Sequence, residues 1–490
     1  MNNERPENFL QRQMNFLQFE ADEKLFDRTY RGTYYWQALR NDIIEMLREK
    51  SDLNDSEGNF DYRQSFKGWL ADKIHLMADI IDDIIDDRKN WNNLQRADIL
   101  YFDQQSYKMI QGKMSDPFFD YFELEDKYSV QRCFYYNRGT IKEYIGRGVG
   151  TLYVKMKAIL LSYFFYFFPI FFSENEDKFI LQLGEKIDSR FGIRISPEQM
   201  LGSVRNIFIT HIVYRTYYRK LLRKIKPRVV FVVCHYDRLL WPLYQVSKEF
   251  NIPVIEIQHG TICNHGAYNY IDTSNTGKEL PDYLFSYGEL WHQWINLPVC
   301  MKAYAVGNSF LESRRQHYSE NVVDDKKIVI YSDRWEMNGK FLENFAIILS
   351  NKYYNQGYRV YFKMHPAEYN IWSEKYLALK KSKQITVVCD GTELYQLLAT
   401  AKHQIGVFST VLYETTVFDV NTYILATEDI PYVQILVDYG MAYVIRDFNE
   451  FEQIMLSGVT LQREYVEQLW KRNAKENAQD VLDKIISKKE

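Results

Sequence analysis

Lys363-Met364-His365-Pro366, and after it Gly406-Val407-Phe408-Ser409-Thr410-Val411-Leu412-Tyr413-Glu414, decide how this chain folds. Each places small or phosphate-seeking side chains directly after a short β-branched or aromatic run, where a parallel strand hands over to a loop or helix. Ligands of open α/β sheets bind outside the carboxyl ends of the strands. Two such ends in one β/α series therefore predict one pocket.

Around these stretches, residues 328–331, 360–363, 385–388, 404–408 and 420–425 read as strands, with helices over 341–354, 393–401 and 412–418. Ser332-Asp333-Arg334 follows the first of these strands. Upstream, 229–233 and 254–257 are strands on either side of a helix over 239–250, a βαβ unit whose crossover is right-handed. It delivers Cys234-His235-Tyr236-Asp237-Arg238 to one strand end and Gln258-His259-Gly260-Thr261 to the next. Further strands fall at 97–102, 129–136, 282–288 and 303–306, the last two stopping at Gly288 and Gly307. Residues 179–225 read as one long helix that Pro227 stops. The charged segment 311–326 reads as a linker between domains. The predicted fold class is α/β: two doubly wound Rossmann-like domains, 96–315 and 327–460, facing a cleft, with a helical N-terminal extension (1–95) and a C-terminal helix (461–490).

Bulk properties fit that plan. A chain of 490 residues is too long for one core, and 46% hydrophobic with 26% charged residues describes a folded globular protein. A formal charge of −4 excludes a general nucleic-acid binder, which needs clustered cationic excess. The five cysteines lack ligand spacing, which predicts a reduced cytosolic setting and no structural zinc. The first residues, 1–16, lack the apolar core of a secretory signal. Aromatic content is 16%, with 39 Tyr and 31 Phe, and reads as compositional bias ahead of a sugar-stacking surface. Residues 158–172 are apolar but too short to span a bilayer; they read as a buried helix, with peripheral membrane docking as the alternative. The Asp82-Asp83 and Asp86-Asp87 pairs read as the acidic solvent face of an amphipathic helix rather than a diphosphate site, because no second acidic motif faces them.

Several side chains are candidates for chemistry. Ser409 and Thr410 start a helix, where hydroxyls and open N–H groups favour anions. Glu414 follows on a nearby face and suits vicinal ribose hydroxyls. Pro366 holds His365 extended, and the imidazole can donate to a phosphate oxygen; Arg334 is a third phosphate candidate. Lys363 alternates to the opposite face. In the first domain, His259 is the general-base candidate, with Gly260 permitting close backbone approach. Asp237 and Glu256 compete for that role, and His235 is a substrate contact. No Asp-x-Asp sits at a strand end, so no metal or other cofactor is expected.

The combination of Gln258-His259-Gly260-Thr261, Lys363-Met364-His365-Pro366 and Phe408-Ser409-Thr410-Val411-Leu412-Tyr413-Glu414 resembles bacterial capsule and surface-polysaccharide transferases of the GT-B type. The His-Pro and Ser-Thr pairs are similar to those of sialyl-, polysialyl- and Kdo-transferases that use CMP-sugars. The Gln258–Thr261 stretch resembles the Trp-His-Gly-Thr of CDP-glycerol glycerophosphotransferases, with Gln258 in place of Trp. The resemblance covers about residues 225–450. It implies that His365, Pro366, Ser409 and Thr410 hold donor phosphate, that Glu414 holds ribose, and that His259, Gln258, Gly260 and Thr261 lie by the acceptor. It implies a nucleotide-sugar donor, a saccharide or lipid-linked saccharide acceptor, and a cytoplasmic location with peripheral contact at the inner face of the plasma membrane. The acid-Gly stretch that carries the catalytic acid of sialyltransferases has no counterpart here. A polyol-phosphate transferase, a sugar-nucleotide epimerase of similar architecture, which would change the donor without an acceptor, and a non-catalytic polysaccharide-assembly protein are the alternatives.

Overall fold

The computed structural model describes residues 9–52, 91–92, 94–103, 108–110, 113–134, 148–150, 174–193, 195–271, 279–333, 336–389, 394–458 and 460–487. Arg334, the acidic pairs near residue 84 and the apolar stretch 158–172 lie outside them.

Seven strands form a parallel first sheet: β1 Ile99–Asp103, β2 Val130–Phe134, β3 Gly148–Gly150, β4 Val229–Val233, β5 Val254–Ile257, β6 Tyr283–Ser286 and β7 Lys302–Ala305. Six form a parallel second sheet: β8 Asp324–Tyr331, β9 Arg359–Lys363, β10 Ile385–Val388, β11 Ala401–Gly406, β12 Asn421–Leu425 and β13 Tyr443–Ile445. Their spatial orders are β3-β2-β1-β4-β5-β6-β7 and β10-β9-β8-β11-β12-β13. Counted within each sheet, both begin 3-2-1-4-5-6, the doubly wound order that reverses between its first and fourth strands. The protein is therefore an α/β molecule with two Rossmann-like, doubly wound sheets. The two reversal points lie between β1 and β4 and between β8 and β11.

Continuous apolar strands suit sheets buried on both faces. In the first sheet, Leu100, Phe102, Val230 and Val232 pack toward helices α4 (Pro197–Ile225) and α5 (Trp241–Glu249). Ile99, Tyr101, Val229 and Phe231 alternate to the other face, against Ala478 and Leu482 of the terminal helix α10 (Ala474–Ser487). That helix crosses back from the second domain. A Cβ on Gly288 would collide with the Gln468 carbonyl, and one on Gly307 with that of Lys471, so glycine at both strand ends admits the returning segment. In the second sheet, Ile328 and Ile330 pack on Leu342 and Phe345 of α7 (Glu336–Tyr353). On its other face, Val329, Leu412 and Tyr413 join one apolar cluster with Tyr287 and Trp291 of the first domain.

Strand β3 was not in the sequence reading, β11 begins at Ala401 and not at 404, and three further elements differ. The helix over 179–225 is broken into α3 (Glu174–Phe191) and α4, because Gly192 turns left-handed at φ 59° and Ser196 caps α4 reciprocally with Gln199. The linker contains helix α6 (Ser309–His317), capped by Asn308 and anchored by buried Phe310, Leu311 and Arg314; so short a helix leaves no periodic apolar stripe to read. The described part of 461–490 forms a short helix α9 (Val466–Leu469) and then α10, separated by a turn with Asn473 at φ 60°. The N-terminal helices α1 (Phe9–Asp22) and α2 (Trp36–Asp52) pack on α3 and α4, with the stripe Trp36, Leu39, Ile43, Ile44 and Leu47 buried as its spacing requires.

Candidate functional site

At the first reversal point β4 is followed by Cys234, whose φ of 65° is left-handed, a conformation a cysteine rarely adopts. This turn sends His235 inward. His235 Nδ1 lies 2.9 Å from Glu256 Oε2, its backbone N–H donates to Glu256 Oε1 at 3.0 Å, and its Nε2 lies 3.1 Å from the Ala267 carbonyl. Both ring nitrogens face acceptors, which the doubly protonated ring satisfies in full. Tyr268 also donates to Glu256 Oε1, at 2.7 Å. Burial by itself would raise the Glu256 carboxyl; the His235 charge and the hydrogen bonds from His235 and Tyr268 outweigh it and hold the group below its ordinary value.

Glu256 is thus corrected as a base candidate: it is fully buried and both oxygens are occupied in fixing the turn. His235 is corrected as a substrate contact for the same reason. Gln258 is corrected likewise. It is interior, donating to the Gly260 carbonyl at 2.8 Å and accepting from Tyr287 N–H at 2.9 Å, so it shapes the loop instead of facing an acceptor. Asp237 Oδ1 accepts from Leu239 N–H at 2.9 Å in the turn that starts α5. Burial raises its carboxyl above the ordinary value, against the Leu239 bond and the Arg238 charge.

His259 differs from these groups. Its Nε2 is 3.0 Å from the Tyr236 hydroxyl, the Phe118 ring packs edge-on at 6.4 Å, and its buried Nδ1 has no hydrogen-bond partner. Burial pulls its pKa below the usual imidazole value, with Glu256 acting in the opposite direction, so the ring is neutral at pH 7. Gly260, next in the chain, faces the second domain: a Cβ built there would lie 3.3 Å from Thr410 Oγ1. Thr261 Oγ1 donates to the Tyr432 carbonyl at 3.1 Å, and Asn264 Nδ2 to that of Pro431 at 2.9 Å, tying the loop across the domain boundary. The N-terminal helices support the same loop. Gln13 donates to the Asn264 carbonyl at 2.9 Å, and Arg40, paired with Glu20, donates to that of Gly266 at 2.7 Å.

At the second reversal point Ser409 caps helix α8 (Thr410–Glu414), its Oγ accepting from Val411 N–H at 3.3 Å. Glu414 Oε2 accepts from Tyr395 at 2.8 Å. Tyr331 ends β8 with a buried hydroxyl that has no hydrogen-bond partner; burial first, and then the Glu414 charge, raise its pKa. His365 is exposed after β9, and its Nδ1 accepts from Ala367 N–H at 3.1 Å over the turn that Pro366 begins. In the neutral ring the proton therefore sits on Nε2, which can donate to an anionic oxygen. Ser332 accepts from His365 N–H at 2.6 Å and donates to buried Glu368, which Lys375 also holds at 2.6 Å. Lys363 donates to Tyr369 at 2.6 Å, away from this edge.

Sequence reasoning missed Tyr236, Tyr331, Ser332 and Glu368. Glu368 was within reach, three residues past the His365 cap where a capping acid sits. A further group near the first reversal point was also missed. Asp116 accepts from Tyr101 at 2.5 Å and from Phe118 N–H at 2.9 Å, while Arg132 bonds Asp103 at 3.5 Å and Asp120 at 2.5 Å. Burial and then the Asp103 charge push the Asp116 carboxyl up to about 7. Among the described residues, no group of three or more His, Cys, Asp or Glu side chains could hold a metal ion. No described helix is long and apolar enough to cross a membrane.

No family model matches the chain, and no curated protein does. Similar solved structures include UDP-GlcNAc 2-epimerase from Methanocaldococcus jannaschii, at 15% identity and TM-score 0.44, covering 78% of this chain and 98% of that one. UDP-GlcNAc 2-epimerase from Neisseria meningitidis bound to UDP-GlcNAc gives 12% identity and TM-score 0.43, covering 79% and 99%. Acinetobacter baumannii MurG gives 11% and 0.42, with the same coverage of 79% and 99%. The fold assignment itself stands on the two strand orders.

Proposed function

We propose that this protein is a GT-B glycosyltransferase that moves a sugar from a nucleotide-activated donor, CMP-linked, to a saccharide or lipid-linked acceptor in surface-polysaccharide assembly. The observation that carries the reading is the approach of Gly260 to Thr410, with a built Cβ at 3.3 Å, which sets the His259 loop against the β11 strand end. A group held at Ser409, Thr410 and His365 then lies opposite a neutral imidazole. Tyr331 and His259, one at each reversal point, each present a buried polar atom without a hydrogen-bond partner. Such atoms are costly unless a ligand or water satisfies them.

In this mechanism the donor diester or diphosphate takes hydrogen bonds from His365 Nε2–H and the Ser409–Thr410 end, and Glu414 accepts from ribose hydroxyls. His259 removes the proton of an acceptor hydroxyl, the acceptor oxygen bonds to the anomeric carbon, and the nucleotide leaves with the former glycosidic bond pair. Asp237 is the reserve base. The displacement runs without a metal, and the charge that develops on the leaving phosphate falls on preorganised donors.

The test is donor turnover by mass spectrometry with CMP-sugars, UDP-sugars and CDP-polyols, each with and without a saccharide acceptor, and with His259→Ala as control. Acceptor-dependent sugar transfer that His259→Ala abolishes supports the reading. Conversion of the donor sugar without acceptor, or transfer of a polyol phosphate, would overturn it.

A further inference from the structure

The reading of His259 as base leaves open which ring nitrogen does the work. Nε2 is 3.0 Å from the Tyr236 hydroxyl, and Nδ1 is buried with no partner. Two proton arrangements fit those positions. In one, Tyr236 donates to Nε2 and the ring proton sits on Nδ1, as an unsatisfied buried N–H. In the other, Nε2–H donates to the Tyr236 oxygen and Nδ1 keeps a bare lone pair.

Three features favour the second arrangement. A buried N–H without an acceptor is rare in proteins, and an open acceptor lone pair is less so. The neutral imidazole ring in water already prefers its proton on Nε2. Tyr236 also has a second polar neighbour besides His259, since the Cys234 side chain is among the groups that act on its phenol. Cys234 is brought there by its left-handed backbone at φ 65°, two residues before Tyr236 in the same turn. Strain of this kind persists where surrounding structure fixes it, and here the two hydrogen bonds between His235 and Glu256 hold the turn.

We propose that Tyr236 is a positioning residue, which with Cys234 holds His259 in its Nε2–H tautomer so that Nδ1 is the nitrogen that takes the acceptor proton. The relay runs from His259 Nε2–H to the Tyr236 oxygen, and from the Tyr236 O–H to Cys234 Sγ. The groups around it are consistent with a neutral ring. The Tyr236 phenol is raised well above its ordinary value by burial and then by Cys234, Glu256 and Glu45, so it stays protonated. Glu256 and His235 act on the His259 ring in opposite directions, Glu256 raising its pKa and His235 lowering it. His265 stacks on Tyr236 at 5.5 Å with a 20° tilt, and its own Nδ1 is taken by Ala267 N–H at 3.2 Å, which fixes the tyrosine plane. The inference rests on the transferase reading for its catalytic meaning, but the tautomer exists with or without that reaction.

The experiment is long-range proton–nitrogen NMR correlation on the full chain with nitrogen-15-labelled histidine, the His259 signals being assigned by their loss in His259→Gln. The expected result is a protonated Nε2 and a pyridine-type Nδ1 in the wild-type protein, and a mixture of both tautomers in Tyr236→Phe. A wild-type signal with the proton on Nδ1 overturns the proposal even if Tyr236→Phe does not fold. So does a tautomer unchanged in a folded Tyr236→Phe. With a working donor assay, Tyr236→Phe should lower kcat by about 10-fold or more, part of the 10²- to 10⁴-fold that a positioned base supplies, while leaving KM within about twofold. A wild-type Nε2–H tautomer in a protein that turns over no nucleotide-sugar would leave the relay standing and overturn the transferase reading alone.

Discussion

Gly260 and Thr410 meet across the boundary between the two sheets, so close that a Cβ on the glycine would sit 3.3 Å from the threonine Oγ1. That separation is tight for van der Waals contact, and the neighbour must give way slightly. Gly260→Ala should therefore cost about 1 kcal/mol, at the low end of overpacking effects. Adding Thr410→Ala removes the opposing atom, so the double variant should be more stable than the sum of the single effects by about 0.5 kcal/mol or more. Urea denaturation of the four proteins measures this cycle, and strict additivity would deny the contact.

His365→Asn separates two duties of one side chain. Asparagine can still accept from Ala367 N–H, as His365 Nδ1 does at 3.1 Å, but it cannot supply the outward Nε2–H. Stability should change by less than about 0.5 kcal/mol, as for other exposed positions. Affinity for a nucleoside phosphate should fall roughly 10-fold or more, the worth of a hydrogen bond to a charged group. Calorimetric titration gives the second number, and an unchanged affinity removes His365 from the site.

Asp116 makes stability depend on pH in an unusual direction. Its carboxyl is pushed up to about 7 in the folded protein from an ordinary 3.8, so between those values the folded chain holds a proton that the unfolded chain has released. Stability from this group is full below about pH 4, falls as pH rises toward 7, and is level above. Asp116→Asn should remove that fall. Relative to wild type it should gain roughly 2–4 kcal/mol more at pH 8 than at pH 5. Equal wild-type-to-variant differences at both pH values, read by thermal unfolding, would show that Asp116 is not buried as an acid.

Glu368 acts in the opposite sense. Burial would raise it, but hydrogen bonds from Lys375, Ser332 and Tyr376 hold it below its ordinary 4.5, so its contribution is present at neutral pH and lost as the solution is acidified below that value. Glu368→Gln leaves Lys375 facing a neutral group in a largely enclosed site and should destabilise by about 3 kcal/mol. Because Ser332 links Glu368 to the His365 backbone, the same variant should loosen the His-Pro turn. Faster amide exchange at Ala367 would register that loosening; unchanged exchange would uncouple the two.

The strand order was legible because its strands are short continuous apolar runs with sharp ends. Val229–Val233 lies after Pro227 and Val254–Ile257 after Pro253, and both strands begin and end where the sequence places them. Helix α6 was not legible, since its buried residues are Ser309, Phe310, Leu311 and Arg314, of which two are apolar, and polar and charged residues make up the rest. The site divides in the same way. His259, Ser409 and Thr410 announce themselves by residue type at a strand end. Tyr236 and Tyr331 do not, because their meaning lies in the Tyr236–His259 hydrogen bond and in a buried Tyr331 hydroxyl under the influence of the Glu414 charge, and in a chain with 39 tyrosines nothing local distinguishes them. Glu256 misled for the converse reason: a carboxylate beside a candidate base looks catalytic until His235 and Tyr268 are seen to occupy it.

The most direct measurement of the central claim is calorimetric titration of the wild-type protein with CMP, CDP, UDP, GDP and ADP. A site at Ser409, Thr410, His365 and Glu414 predicts saturable binding of a cytidine nucleotide. At about 100 times its dissociation constant, that ligand should also add roughly 2.7 kcal/mol to stability. Binding of UDP with no cytidine nucleotide bound would contradict the donor assignment, and no binding of any of the five would contradict the enzyme itself.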